Sequence, residues 1–201
     1  MALPRTVYDR THHAAARTSE FLFNQLIPYI GNKRKLLKLM HQAVEQTGVQ
    51  GGACFVDFFA GSGVVARWAK LLGYRVIAND WEPYSQVINR CYIACNQPPA
   101  MAALGGYERV IEQLNRLPPL VGWVTEHLCP RDDRHFDVER DHMFYMRKNG
   151  MRIDAIREQI AAWKRDGPIS DLEEACLLAP LVYQACYTSN TSGVFKGFHN
   201  G

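Results

Sequence analysis

The chain contains no apolar run near the roughly 20 residues that a membrane-spanning helix needs. Its first 20 residues are polar and aperiodic, without the apolar core of a secretory signal. Neither sign of charge is in large excess. Lys and Arg number 23 against 20 Asp and Glu, a net charge of +3 with histidine neutral. That balance permits a polyanionic partner without requiring one. The six cysteines (Cys54, Cys91, Cys95, Cys129, Cys176 and Cys186) include no C-x-x-C pair. With no export signal, reduced thiols in a cytoplasmic protein are the simplest expectation. Cys91 and Cys95, with His127 and Cys129 downstream, match the spacing of no common zinc module, so no metal is expected. The cysteines read instead as small apolar side chains on buried helix faces. Repeats and low-complexity tracts are also missing.

What is present is ordinary globular material. Apolar residues make up 47% and charged residues 21% of 201 residues, enough for one domain with a sizeable insertion. Residues 1–20 are expected to form a flexible extension. A basic helix should follow Pro28-Tyr29-Ile30-Gly31-Asn32-Lys33, because Leu36, Leu37, Met40 and Val44 recur at helical spacing and Gly48 suits a stop. Ala53–Asp57 reads as a short buried strand, Val64–Leu72 as a helix, Tyr74–Ala78 as a second strand, and about Pro83 to Cys95 as another helix. Strand, glycine turn, helix and strand imply parallel neighbours, since parallel pairing needs a crossover. Beyond residue 97 the character changes. Residues 97–136 carry five of the ten prolines. From about Val138 to Tyr187 the pattern is helical, with Ile153, Ile156, Ile160 and Trp163 on one face. Asp171 and Glu174 read as a capping box after Gly167-Pro168. The predicted organisation is an α/β half over 21–97, a mostly helical insertion over 98–188, and a loop over 189–201.

Asp57-Phe58-Phe59-Ala60-Gly61-Ser62-Gly63 lies between the first strand and its helix, where α/β sheets bind ligands. Glycines there let the backbone turn tightly and let a ligand come close. Asp80 ends the next strand, 23 residues after Asp57, and a carboxylate at that point can accept bonds from ribose hydroxyls. The plain alternative is a turn with a helix-capping acid. The coincidence of strand, turn, helix and spaced acid favours a nucleoside site. Gly61 to Ala66 also fits the G-x-G-x-x-A dinucleotide pattern, so an NAD-dependent oxidoreductase is an alternative. An acid at position 57 would repel a pyrophosphate but suits the ammonium of a methionine moiety. S-adenosylmethionine, which carries adenosine, an amine and a sulfonium but no phosphate, is the better match.

These residues resemble a known family. Asp57 to Gly63 is similar to the D-x-F-x-G-x-G motif of S-adenosylmethionine-dependent amino methyltransferases. Tyr29-Ile-Gly-Asn-Lys33 with Leu36 resembles the Y/W-x-G-x-K-x-x-L segment of Dam-like DNA adenine methylases. Asn79-Asp80 and the stretch Asn190–His199 are similar to further motifs of that group. The resemblance covers about residues 24–201. It implies a Rossmann-like methyltransferase sheet, partial in this chain, and methyl transfer from S-adenosyl-L-methionine to the N6 amino group of adenine in double-stranded DNA. It implies a cofactor site built from Tyr29, Lys33, Asp57, Phe59, Gly61, Gly63 and Asp80, with Trp81 near the adenine ring. It makes 98–188 the target-recognition region, where Arg131, Arg134, Arg140, Arg147 and Lys148 are candidates for phosphate contacts. A cognate restriction enzyme is the partner such methylases imply.

One family feature is missing. The D/N/S-P-P-Y/F/W tetrapeptide, whose polar group and proline carbonyl engage the adenine amine, occurs nowhere in the 201 residues. Asn96-Gln-Pro-Pro-Ala100 and Leu117-Pro-Pro-Leu120 lack its order. The chain is therefore expected to stop just short of it and to be catalytically inactive alone. A non-catalytic DNA-binding remnant is the other alternative.

Overall fold

The computed structural model describes residues 20–137 and 139–191. All but the last residue of the expected N-terminal extension, and the loop beyond Thr191, lie outside them. Glu20 opens a helical turn over 20–23 whose Leu22 is buried. Asn32 accepts a bond from the Arg34 amide at 2.8 Å and so starts a 3-10 turn, Lys33–Leu36. That turn runs into α1, Leu37–Gln46. Gly48, at φ +68°, reverses the chain as the sequence suggested.

Strand β1 (Cys54–Asp57), helix α2 (Val64–Leu71) and strand β2 (Arg75–Ala78) form a parallel β-α-β unit. The register pairs Cys54 with Arg75 and Asp57 with Ala78. Among the described residues the sheet holds these two strands alone. Its inner face packs Phe55 and Val76 against Val64, Val65, Trp68 and Ala69, together with Leu22, Leu26 and Leu37. Its outer face leaves Cys54, Val56 and Ile77 exposed. β1 is thus half-exposed, contrary to the buried strand expected, because no second layer covers it among the described residues. Cys54 is likewise exposed rather than on a buried helix face.

Helix α3 spans Pro83–Asn89 and continues as a π-helical turn, Arg90–Ala94. Lys70 fixes that turn by donating to the carbonyls of Tyr92, Ile93 and Cys95. After a 3-10 turn at Ala102–Leu104 come α4 (Tyr107–Asn115), α5 (Trp123–Leu128), α6 (Arg147–Asp166) and α7 (Asp171–Thr188). One cluster joins Met101, Val110 and Leu114 to Ile160, Trp163 and Leu177. A second joins Val124, Cys129, Tyr145 and Ile153. Ile27, Ile88 and Ala179 link α3 to α7 and so tie the α/β part to the helical part.

Two details correct the sequence reading. The capping box of α7 is Ser170 with Glu173, one residue earlier than expected, with both reciprocal bonds present. Continuous helix begins at Arg147, not near 138, because Asp132, Asp137 and Asp141 bond backbone amides of their own loop. Asp133 accepts from the Arg147 and Lys148 amides and fixes the start of α6. No helix of the described residues is long and apolar enough to cross a membrane, and among them no three His, Cys, Asp or Glu side chains converge as a metal site.

Candidate cofactor-binding site

The parallel register puts the ends of β1 and β2 side by side, so Asp57 and Asn79-Asp80 converge on the glycine turn. The Asn79 amide donates to the Asp57 carbonyl at 2.8 Å, and the Ala60 amide to the Asn79 carbonyl at 2.9 Å. The turn closes on itself when the Gly63 amide bonds the Ala60 carbonyl at 2.7 Å. Gly63 is the N-cap of α2 at φ +77°, a left-handed conformation that favours glycine. A Cβ there would stand 2.7 Å from Asn89 Oδ1. At Gly61, φ +49°, a Cβ would meet the Tyr29 ring at 2.9 Å. Tyr29 therefore packs directly against the turn, and only glycine lets it.

The segment Tyr29–Lys33 is thus brought to the turn. Asn32 Nδ2 donates to Ser62 Oγ at 3.1 Å. Lys33 Nζ donates to its own segment's Gly31 carbonyl at 2.6 Å, and its charge acts on Asp57. Asp57 is the site's unbalanced group. Its Oδ2 is buried without a hydrogen-bond partner among the described residues. Burial pushes its carboxyl above the usual 3.8, and the nearby charge of Asp80 pushes the same way. The Phe59 and Ala66 amides and Lys33 oppose that rise. A desolvated carboxylate with a bare oxygen, beside a second acid, is built to receive a cationic donor. The ammonium of a methionine moiety is such a donor, so the residues present fit S-adenosylmethionine.

Asp80 does something the sequence did not suggest. Its Oδ2 accepts from the Gly61 amide at 2.7 Å and its Oδ1 from the Glu82 amide at 3.0 Å. It latches the turn from just beyond the end of β2. The Gly61 and Gly63 amides are thereby both used internally, and neither is free for a pyrophosphate. The rings of Phe59 and Trp81, at 89% and 94% exposed, stand outside this network, although the Phe59 amide bonds Asp57. These two expected side chains are the ones not gathered with the others.

The residues that sequence reasoning missed are Asn32, Ser62, Ser85 and Asn89. Ser85 donates to the Gly61 carbonyl at 2.7 Å, and Asn89 Nδ2 holds Ser85 through its carbonyl at 2.9 Å and its hydroxyl at 3.1 Å. Their spacing of four on a helix was legible. That they face the turn was not.

The fold and the site together define a parallel β-α-β unit with an acid-flanked glycine turn, joined to a helical companion region. The model of the family described as D12 class N6 adenine-specific DNA methyltransferase matches residues 29–201. The chain belongs to that family, as the resemblance implied. It is similar to type II methyltransferase M.NlaIII of Neisseria lactamica, 34% identical over 174 residues, which are 85% of this chain and 48% of that protein. It is similar to type II methyltransferase M.CviAII of Paramecium bursaria Chlorella virus 1, 32% identical over 173 residues, 86% of this chain and 49% of that one. Modification methylase LlaI of Lactococcus lactis subsp. lactis is 29% identical over 175 residues, 85% of this chain and 26% of that one. The chain spans about half the length of the first two and a quarter of the third. No solved structure matches it significantly.

Proposed function

We propose that the chain is the cofactor-binding and target-recognition part of an S-adenosylmethionine-dependent DNA adenine N6-methyltransferase. The observation that carries the cofactor assignment is the buried, unpartnered Oδ2 of Asp57 beside the glycine turn. When bound, S-adenosylmethionine supplies an electrophilic methyl group. Asp57 pairs with the ammonium, Asp80 accepts the ribose hydroxyls on its remaining lone pairs, and Tyr29, Gly61 and Gly63 shape the wall. Lys33 moderates Asp57. The exposed rings of Phe59 and Trp81 offer apolar surface to the adenosine. These residues position the donor and keep water away; the polar-Pro-Pro-aromatic tetrapeptide that would engage adenine is not among the 201 residues. The chain alone therefore binds cofactor and does not methylate DNA.

The two strands are the nucleus of a larger Rossmann-like parallel sheet. Parallel sheets are covered on both faces, and the exposed Val56 and Ile77 are the face awaiting cover. Residues 21–97 form the cofactor half and 98–188 the recognition region. The substrate is double-stranded DNA, the cell compartment the cytoplasm, and a cognate restriction enzyme the functional counterpart. Nothing in the turn favours the NAD alternative, because its glycine amides are already bonded. Titration calorimetry decides the matter. S-adenosylmethionine should bind, NAD should not, and Asp57→Asn should weaken binding about tenfold or more, the loss of a charge-assisted contact. Equal affinity of Asp57→Asn and the unaltered chain would sink the cofactor assignment.

A further inference from the structure

The joint between the α/β part and the helical part gathers three of the six cysteines. Cys91 lies on the π-helical turn and Cys95 caps its end, while Cys176, 6% exposed, faces both from α7. The sulfurs form a hydrogen-bonded row, in which Cys95 donates to Cys176 and Cys176 to Cys91. It is a row and not the converging set a metal needs. The Cys95 thiol also donates to the Gln97 carbonyl at 2.8 Å. All three are free thiols.

Helix α2 sets two cations against this row. Arg67 is fully buried, its guanidinium 3.5 Å from the centre of the Tyr92 ring and its Nη1 bonded to the carbonyls of Phe21 and Asn24 at 3.2 and 2.8 Å. Its Nε and Nη2 have no partner among the described residues. Lys70, one helical turn on, donates to three backbone carbonyls of the π-helical turn and its cap. Among the described residues neither cation is paired with a carboxylate. A cation taken out of water without an anion is costly. The ionisable groups beside these two are Tyr92, Cys91 and Cys95. Desolvation pushes the Tyr92 hydroxyl up to about 12 and raises the Cys95 thiol, so both keep their protons at neutral pH. Burial does the same to Tyr107 of α4, which faces Cys91 and Cys176, and Glu173 acts on Cys176. Cys91 moves the other way. The bond from Cys176 favours its thiolate, and Arg67 and Lys70 add to that against desolvation and Cys95. The anion that the two cations lack is the Cys91 thiolate.

We propose that Cys91 is a redox modification site: a hydroperoxide oxidises it and Cys176 closes a disulfide on it, cross-linking the π-helical turn to α7. The Cys91 thiolate attacks a peroxide oxygen, so that an S–O bond forms, the O–O bond breaks and the leaving hydroxide takes a proton to depart as water. The Cys176 sulfur then attacks the sulfenic sulfur, so that an S–S bond forms, the S–O bond breaks and a second water leaves with the Cys176 proton. Two thiols are oxidised and one peroxide is reduced. The bridge fastens α3, whose Ser85 and Asn89 hold the glycine turn, to the helical part. It stands independently of the cofactor assignment.

The test treats the 201-residue chain with one equivalent of hydrogen peroxide, blocks the remaining thiols and maps the peptides by mass spectrometry. The joined Cys91 and Cys176 peptides, released by dithiothreitol, should be the main product. In Cys176→Ser, dimedone should trap the sulfenic acid on Cys91. In the reduced chain, the rate of Cys91 alkylation by iodoacetamide should rise through a pH below the ordinary 9.0. Lys70→Gln, which keeps a donor for the carbonyls and loses the charge, should slow that alkylation about threefold or more at pH 7. Oxidation that follows exposure, with Cys54 modified first and no joined Cys91 and Cys176 peptides, overturns the proposal. So does a bridge from Cys176 to Cys95 that leaves Cys91 reduced, or a Cys91 rate that Lys70→Gln does not move.

Discussion

Asp57 carries a folding cost in the same atoms to which the proposed function assigns the cofactor's ammonium. Folding raises its pKa, chiefly by desolvation, so the native state holds its proton more tightly than the unfolded chain does. Ionisation therefore lowers stability. The penalty is absent below the ordinary value of 3.8 and complete once pH exceeds the raised one. Asp57→Asn should consequently raise the thermal midpoint of the free chain at pH 7 while weakening S-adenosylmethionine. Affinity of the unaltered chain should increase as pH climbs through the raised pKa. Scanning calorimetry at pH 3.5 and 7, with titrations over the same range, checks both signs. The motif letters Asp57, Gly61, Gly63 and Asp80 made this site legible in the sequence, because turn geometry and charge are local. That Asp80 also latches the Gly61 amide was not legible, since it joins residues 19 apart in the chain through the register of two strands.

Helices of the second half show why element boundaries escaped. Residues 97–136 carry five of the ten prolines within the expected helical insertion, and their helices fall around these, α4 between the two Pro-Pro pairs and α5 after the second. α5 exists because Asp154, on a different helix, accepts the amides at its start. Asp154→Ala strands three amides and a hydroxyl, and should cost about 3 kcal/mol in urea unfolding. Ser170→Ala removes one side of the α7 capping box and should cost about 1 kcal/mol. A smaller loss at Asp154 than at Ser170 would mean α5 is held by packing instead. α7 also runs through Pro180 without ending, since Ala179, Leu177 and Cys176 are buried against the neighbouring elements. Tertiary packing there outweighs a residue that normally breaks helices.

At the scale of the molecule the parallel pair is the unfinished feature. Val56 and Ile77 form an apolar strip on a sheet face that proteins of this architecture cover. Because that strip contributes nothing to the packed core, Ile77→Lys should leave the unfolding free energy within about 0.5 kcal/mol of the unaltered chain. It should also reduce self-association measured by light scattering at high concentration. A large loss of stability would show that the face is already packed. The same reasoning explains how a chain that spans about half the length of M.NlaIII and M.CviAII still builds the glycine turn. The turn needs two adjacent strand ends, not a whole sheet.

Local chemistry determined the class of this protein from sequence: a strand, a glycine turn, a helix and a spaced acid are short-range features that few other arrangements produce. The packed structure alone decided which groups are spent and which are free. Asp80 and the glycine amides are engaged, Asp57 Oδ2 is bare, and Cys91 stands beside two cations. Those outcomes arise from contacts between residues distant in the chain, whose free energies no local pattern encodes.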